Sequence, residues 1–193
     1  RTVQYFAGRT DVQFIIRVHP GEVLTDGLSM AEVVSDVLPK LPDHIRLIQP
    51  KDDVNTYDLS ELADLGLVYS TTVGLEMAMR GRPVIVVGKT HYRERGFTYD
   101  PNSWVTYLKT MGQILEDPEF FRLSPTQVET AWQYAYYFFF EFPRPFPWHL
   151  VRAWEDYEEK PLANVLNARG RKKYEDTFRY LTGEPMDWQA IES

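Results

Sequence analysis

The sequence predicts an α/β fold built on a parallel β-sheet, with a helical region at its C-terminal end. Strand-like and helix-like segments alternate through about the first 100 residues with short joints, which is typical of right-handed βαβ units in a doubly wound sheet. One strand-like run is continuously apolar rather than alternating, as expected for a parallel strand covered on both faces. Beyond about residue 100 the strand signals stop and helical patterns follow.

The strands are predicted from short runs of β-branched and aliphatic residues. Residues 14–18 (Phe-Ile-Ile-Arg-Val) form such a run, which stops at Pro20. Residues 45–48 form a second run and residues 65–69 a third. Residues 84–87 (Val-Ile-Val-Val) are the cleanest strand in the chain and supply the continuous apolar run.

The helices between these strands are predicted from capping residues. Ser29 can cap a helix of about ten residues, with Glu32 as its capping-box partner, that ends ahead of the next prolines. Asp58 or Ser60 can cap a short helix that runs through Leu62.

A further helix is predicted over residues 72–80, with Gly81 just beyond its C-terminus. In the second half, helices are predicted over residues 103–115, 126–140 and 148–159. Ten of the 28 aromatic residues fall between positions 132 and 148, so this half is aromatic-rich. We expect one domain over residues 1–193, with an α/β core over 1–100 and a helical extension over 101–193.

Length and composition exclude several classes of protein. The chain has 193 residues and a net charge of −7, which argues against a broad basic surface for duplex nucleic acid. It has no cysteine, which excludes a disulfide framework, a Cys-ligated metal and a thiol nucleophile, and an intracellular location fits best. No apolar run is long enough to cross a bilayer. Because the chain opens at Arg1 without an initiator Met, we expect it to be a piece of a longer protein.

The first candidate site lies at the end of the first predicted strand, at Arg17 and His19. Ligands of open α/β sheets bind at the carboxyl ends of the strands. Pro20 restricts His19 to an extended conformation, so its imidazole can donate a hydrogen bond to a phosphate or carboxylate. The alternative is a histidine in a turn that simply caps the strand. Metal binding is not indicated, because no second ligand stands at metal-site spacing.

The second candidate site is a strand-to-helix turn, Ser70-Thr71-Thr72-Val73-Gly74-Leu75-Glu76. Hydroxyls beside the free N–H groups of a helix N-terminus can form an anion site. Thr72 and Glu76 share a helix face and differ in height by about 6 Å, which is about the span from a nucleotide's phosphate to its ribose hydroxyls. The alternative is an ordinary helix cap with a solvated Glu76.

The third candidate site is the loop over residues 88–96, which follows the strand at 84–87. It carries Lys89, Arg93, Arg95 and a histidine in an otherwise acidic chain, so it could serve an anionic ligand. The alternative is a solvated loop in which Glu94 pairs with one arginine. No dinucleotide-binding, P-loop, serine-hydrolase, zinc-protease or kinase motif is present in the sequence.

Taken in order, these motifs resemble a known family. His19-Pro20, Ala63-Asp64, the turn at 70–76 and Gly81-Arg82-Pro83 with the strand and glycine that follow are similar to the nucleotide-binding half of GT-B glycosyltransferases. The closest resemblance is to the bacterial capsule polysaccharide biosynthesis family, which includes Kdo transferases and shares motifs with GT-B sialyltransferases and polysialyltransferases. It covers roughly residues 12–100 and implies a Rossmann-like parallel sheet flanked by helices, one half of a GT-B fold.

The resemblance also implies roles for individual residues. His19 becomes the candidate catalytic residue, contacting the phosphate of a CMP-activated sugar, and Glu76 would bind the ribose. The candidate nucleotide- and phosphate-binding residues are Arg17, His19, Ser70, Thr71, Thr72, Glu76, Lys89 and Arg93. Inverting transfer in such enzymes needs no metal or other cofactor.

The sequence thus predicts the donor-binding domain of a glycosyltransferase that makes capsule or surface polysaccharide. Its partners would be a nucleotide sugar, the N-terminal GT-B domain absent from this chain, and a glycan or glycolipid acceptor. The general base would come from that other domain, so we expect the isolated chain to be inactive. A cytoplasmic location is expected, at the inner face of the membrane if the full-length protein is peripheral. The alternatives are a non-catalytic polysaccharide assembly or export module and a GT-B-like UDP-sugar epimerase domain.

Overall fold

The computed structural model describes residues 1–24, 26–149 and 152–185. The chain divides into two compact units, Arg1–Ala131 and Trp132–Ser193. The strands are β1 (Phe14–Arg17), β2 (Ile45–Ile48), β3 (Gly66–Val68) and β4 (Val84–Val86). The helices of the first unit are α1 (Thr2–Ala7), α2 (Met30–Val37), α3 (Thr56–Leu62), α4 (Val73–Met79) and α5 (Trp104–Glu116). Helix α6 (Pro125–Tyr136) begins near the end of that unit.

The predicted α/β fold with parallel strands is confirmed, but the strands form two separate pairs rather than one sheet. β1 pairs with β2 and β3 pairs with β4, both in parallel. Tyr99 extends the second pair by a parallel bridge to Ile85. The two pairs share a side-chain core, in which Ile45 of β2 and Ile85 of β4 pack with Tyr107 and Met111 of α5. Within the described residues, the two pairs are thus joined by apolar side-chain contact and not by backbone hydrogen bonds between strands.

The predicted capping residues of α2 are confirmed, whereas those predicted for α3 are wrong. Ser29 and Glu32 form a capping box at the start of α2. Helix α3 is capped by neither Asp58 nor Ser60: the side chain of Asn55 accepts the hydrogen bond from the Tyr57 N–H at 2.9 Å. Asn55 competes well for this position because its short amide reaches the first free N–H groups of the helix.

Helix α4 and strand β4 follow the prediction to within one residue at each end. Gly81 stands after α4 with a φ of +76°, a left-handed conformation that favours glycine, and its N–H donates to the Ala78 carbonyl. The three residues of β4 are completely buried, as its continuous apolar sequence predicts. The candidate turn between β3 and α4 is thus held beside the β3–β4 pair.

The second unit is helical, with bounds that differ from the prediction. A π-helical turn at Tyr137–Glu141 follows α6, and then come α7 (Ala153–Glu159), α8 (Leu162–Val165) and α9 (Ala168–Leu181). The helix predicted over 148–159 begins only at Ala153; residues 150 and 151 of that range lie outside the described residues. Helices α1, α8 and α9 were not predicted. In the described part of the chain, no helix is both long and apolar enough to span a bilayer.

Candidate functional site

Arg17, at the carboxyl end of β1, is bonded to its own protein. Its guanidinium donates to the backbone carbonyl of Gln49, the residue after β2, and to the Thr56 hydroxyl at 3.5 Å. The backbone ladder continues past β1, since the Val18 N–H donates to the Ile48 carbonyl at 3.0 Å. Arg17 therefore fixes the carboxyl end of the β1–β2 pair, a structural role that the sequence did not reveal.

His19 is exposed just beyond that strand end, and its ring orientation is fixed by its own turn. The Gly21 N–H donates to His19 Nδ1 at 3.0 Å, and the Glu22 N–H donates to the His19 carbonyl. Because Nδ1 accepts this bond, the proton of the neutral ring sits on Nε2. His19 thus stabilises a turn directly after β1, consistent with the alternative of a histidine in a strand-capping turn, and this exposed residue keeps Nε2–H as a donor.

The turn between β3 and α4 holds its hydroxyls close to the start of the helix. Thr71 Oγ1 accepts the Val73 N–H at 3.3 Å, and Thr72 is the N-cap residue without a capping bond from its side chain. The Thr72 hydroxyl instead donates to a carboxylate oxygen of Glu76 at 3.4 Å. The predicted shared face of Thr72 and Glu76 is therefore confirmed. Ser70 and Thr72 are exposed.

Gly74 allows this turn to approach both the strand and a tyrosine from the next loop. A methyl group at Gly74 would overlap the Tyr92 hydroxyl and lie 2.9 Å from Val68 Cγ2. Tyr92 is completely buried, and its hydroxyl donates to the Thr71 carbonyl at 2.5 Å. Burial raises the pKa of Tyr92 to about 12, with the charges of Asp100 and Glu76 adding to the effect. The hydroxyl therefore stays protonated, as a donor, well above neutral pH.

The loop after β4 carries three cations, of which Lys89 and Arg95 are exposed and Arg93 is bonded to its own protein. Arg93 donates to the backbone carbonyls of Gly88 at 3.2 Å and Pro101 at 2.7 Å, and it pairs with Glu94 at 3.8 Å. The alternative in which Glu94 pairs with an arginine thus matches the geometry of Arg93. Burial lowers the pKa of His91, so the positive charge of this loop comes from its lysine and arginines.

A cavity of about 860 Å³ opens beside this loop, at the carboxyl end of β4. Cations, aromatic rings and the first residues of α5 line it: Thr2, Val87, Lys89, Thr90, Arg93, Glu94, Pro101, Asn102, Ser103, Trp104 and Tyr107. Two of the candidate site residues, Lys89 and Arg93, belong to this lining. Ser103, Trp104 and Tyr107 belong to the start of the helix predicted over residues 103–115, whereas nothing in the sequence points to Thr2.

Hydrogen bonds bring the second and third candidate sites together. The Gly88 N–H donates to the Tyr69 carbonyl at 3.0 Å, and Tyr92 bonds to Thr71. The hydrogen bonds of Arg17 and His19, by contrast, go to residues near the β1–β2 end. No group of three or more metal-ligating side chains occurs within residues 1–24, 26–149 and 152–185.

These features define an α/β protein that carries polar loops, hydroxyls and cations at the carboxyl ends of its parallel strands. The family model described as "Capsule polysaccharide biosynthesis protein" matches residues 5–139. The chain belongs to this family, which confirms the resemblance inferred from its motifs.

One solved structure with similarity is Thermosulfurimonas dismutans KpsC, described as a beta Kdo 2,4 transferase. The two share 20% sequence identity over 68% of this chain and 35% of that one, with a TM-score of 0.41. The chain thus spans about a third of the length of that protein. No curated protein matches the chain significantly.

Proposed function

We propose that this chain is the donor-binding half of a GT-B glycosyltransferase that builds capsule or surface polysaccharide. The observation that carries the proposal is the family match over residues 5–139, which contains all eight candidate site residues. The parallel strands support it, because nucleotide ligands of α/β proteins bind at the carboxyl ends of such strands. Residues 1–193 would form a single donor domain with a helical extension after residue 100.

The phosphate of the donor would be held by hydrogen-bond donors from the candidate residues. The exposed Nε2–H of His19 can donate to a phosphate oxygen, as can the hydroxyls of Ser70 and Thr71. Lys89 adds a positive charge at the cavity. Arg17 and Arg93 contribute mainly by fixing strand ends and loops, since both guanidiniums already bond to backbone carbonyls.

The ribose of the donor would be recognised by Glu76. A carboxylate accepts hydrogen bonds from two neighbouring hydroxyls, whereas it repels a phosphate. Its bond with Thr72 is long at 3.4 Å and therefore weak, so ribose hydroxyls can replace Thr72 at the carboxylate with little cost in free energy. Glu76 follows Thr71 by five residues and Ser70 by six, so the ribose contact would be separate from the phosphate contacts at these two hydroxyls.

The reaction would be an inverting transfer from a CMP-activated sugar. An acceptor hydroxyl attacks the anomeric carbon, a new C–O bond forms, and the bond between that carbon and the phosphate oxygen breaks. The hydroxyl proton goes to a general base, which we assign to the N-terminal GT-B domain outside this chain, and the electron pair of the broken bond stays on CMP. His19 stabilises the negative charge that develops on the departing phosphate. No metal or other cofactor enters this scheme.

Isothermal titration of the chain with CMP, CDP, UDP and their activated sugars tests the proposal. We expect measurable binding with preference for CMP, reduced by His19→Ala and by Glu76→Ala, and no transfer by the isolated chain. Binding that neither substitution changes would overturn the assignment of the site. Preference for UDP would instead favour an epimerase-like domain. Nucleotide binding without turnover in the full-length protein would favour an assembly or export role.

A further inference from the structure

We propose that Tyr92 is a positioning residue for the nucleotide-sugar site, holding the turn at residues 70–76 in register with the loop that lines the cavity. This inference rests on the proposed function. Tyr92 itself lies beneath the turn rather than in the cavity, so it acts through other residues. Neither its role nor its contact could be anticipated from a tyrosine in a charged loop.

The contact between Tyr92 and the turn is close and buried. The ring is completely buried and the hydroxyl donates to the Thr71 carbonyl at 2.5 Å, although 21 residues separate the two in the chain. Gly74 leaves the space that the hydroxyl occupies, since any side chain there would overlap it. Burial of the tyrosine shields its hydroxyl from water, which strengthens the bond, while Thr71 itself is half-buried.

This bond fixes the part of the turn that carries the candidate ligand groups. Thr71 offers its carbonyl to Tyr92 and its hydroxyl oxygen to the Val73 N–H. Both the peptide and the side chain of Thr71 are thereby held, between its chain neighbours Ser70 and Thr72. Without the Tyr92 hydroxyl, the bonds within the turn would persist but this tie to the neighbouring loop would be lost.

The same residue belongs to the loop that borders the cavity. Its neighbour Arg93 anchors that loop by donating to the carbonyls of Gly88 and Pro101. Tyr92 therefore sets the distance between the turn, which would hold phosphate and ribose, and the cavity, where the charge of Lys89 would also attract the phosphate. A donor that touches both needs this separation to be constant, since ordering the loops upon binding would weaken affinity.

The test compares Tyr92→Phe with Tyr99→Phe in the full chain, with CMP as the probe. Tyr99 is a matched control: its hydroxyl also donates to a backbone carbonyl, that of Phe121 at 3.1 Å, but it lies outside the turn and the cavity lining. Each variant loses one such bond and keeps its ring, so we expect similar decreases in the thermal unfolding midpoint. We expect CMP affinity to fall about five- to tenfold in Tyr92→Phe and to change less than twofold in Tyr99→Phe.

Equal CMP affinities in the two variants would overturn the positioning role while leaving the proposed function in place. Failure of the unmodified chain to bind CMP or any other nucleotide would overturn the proposed function itself, and this inference with it. Circular dichroism spectra of each variant serve to check that it is folded. If Tyr92→Phe is too unstable at room temperature, the titrations are repeated for all three proteins at low temperature.

Discussion

The hydroxyl of Thr72 donates to the carboxylate of Glu76 across one turn of α4, at a distance of 3.4 Å. The bond directs the Thr72 proton toward the carboxylate and away from any anion at the start of the helix. It also keeps the carboxylate on the face of α4 that continues from the turn. Nucleotide binding at this place would therefore divide naturally between a ribose contact at Glu76 and phosphate contacts at neighbouring donors.

Replacing Glu76 by glutamine tests this division. Glu76→Gln keeps the shape and an oxygen that can accept from Thr72, but it removes the charge that strengthens bonds from ribose hydroxyls. We expect the affinity for CMP to fall about tenfold, as measured by calorimetry, while inorganic phosphate binds no more weakly than before. Glu116→Gln, at an exposed position near the end of α5, is the control and should leave both unchanged. Equal losses for CMP and phosphate would contradict a ribose role.

The turn contact of His19 and its proposed contact with phosphate can be separated by two substitutions. His19→Asn keeps an oxygen that can accept the Gly21 N–H but removes the exposed Nε2–H, whereas His19→Ala removes both. We expect both variants to bind CMP more weakly, by about five- to tenfold. Only His19→Ala should lower the thermal unfolding midpoint. If His19→Asn binds CMP as well as the unmodified chain does, the imidazole only stabilises its own turn and does not contact the nucleotide.

A methyl group at Gly74 should destabilise the first unit. Because it would overlap the Tyr92 hydroxyl and press on Val68, Gly74→Ala is expected to lower the free energy of unfolding by about 1–3 kcal/mol. Gly112→Ala in α5 is the control: its methyl group would lie 3.6 Å from the Tyr5 hydroxyl, an ordinary contact, and should stabilise the helix by about 0.5–1 kcal/mol. Urea unfolding measures both, and equal stability of the two variants would contradict the close packing described.

The stability of the chain should decline in alkaline solution partly because of Tyr92. Its pKa is about 12 in the folded chain and about 10 when unfolded, so unfolding releases a proton between these values. The stabilising effect is complete below pH 10 and is lost progressively as the pH rises toward 12. We expect Tyr92→Phe to flatten this decline in urea-unfolding measurements between pH 9 and about 12. An unchanged slope would show that the hydroxyl is not buried.

Lys89 should make nucleotide binding dependent on salt. Its exposed ammonium group stands at the cavity, where it attracts an anionic ligand through a field that salt screens. We expect Lys89→Ala to weaken CMP binding at low salt and to reduce the loss of affinity between 50 mM and about 500 mM NaCl. Lys40→Ala, an exposed lysine outside the cavity lining, serves as control. If both variants show the same salt dependence as the unmodified chain, the cavity does not attract the nucleotide.

Local signals were sufficient to predict much of the fold. The strand at Ile45–Ile48 and the capping box of α2 follow from residues within four positions of one another. Helix α9 was missed because its first residues are mostly charged, and the buried face shows only weakly in the sequence. The separation of the strands into two pairs could not be predicted, since it depends on which backbone groups meet after the helices pack.

In the candidate site, too, the sequence predicts what neighbouring residues determine and misses what tertiary packing determines. That Thr72 and Glu76 share a face follows from helical periodicity alone. The hydrogen bonds of Arg17 and Arg93 to backbone carbonyls join residues that only the tertiary structure brings together. A charged residue in a sequence does not reveal whether its partner is a ligand or the protein's own backbone, so both arginines were assigned to the ligand.

Both ends of the loop after β4 are tied to the strand pair beneath it. The Gly88 N–H bonds to the Tyr69 carbonyl, while Tyr99 exchanges hydrogen bonds with Val84 and Val86. Residues 89–98 therefore leave the β3–β4 pair at Gly88 and rejoin it at Tyr99, and between these points Tyr92 and Phe97 are completely buried. A chimaera that exchanges these residues for those of another family member should fold without redesign of the strands, provided that the partner of Thr71 and the buried Phe97 are retained.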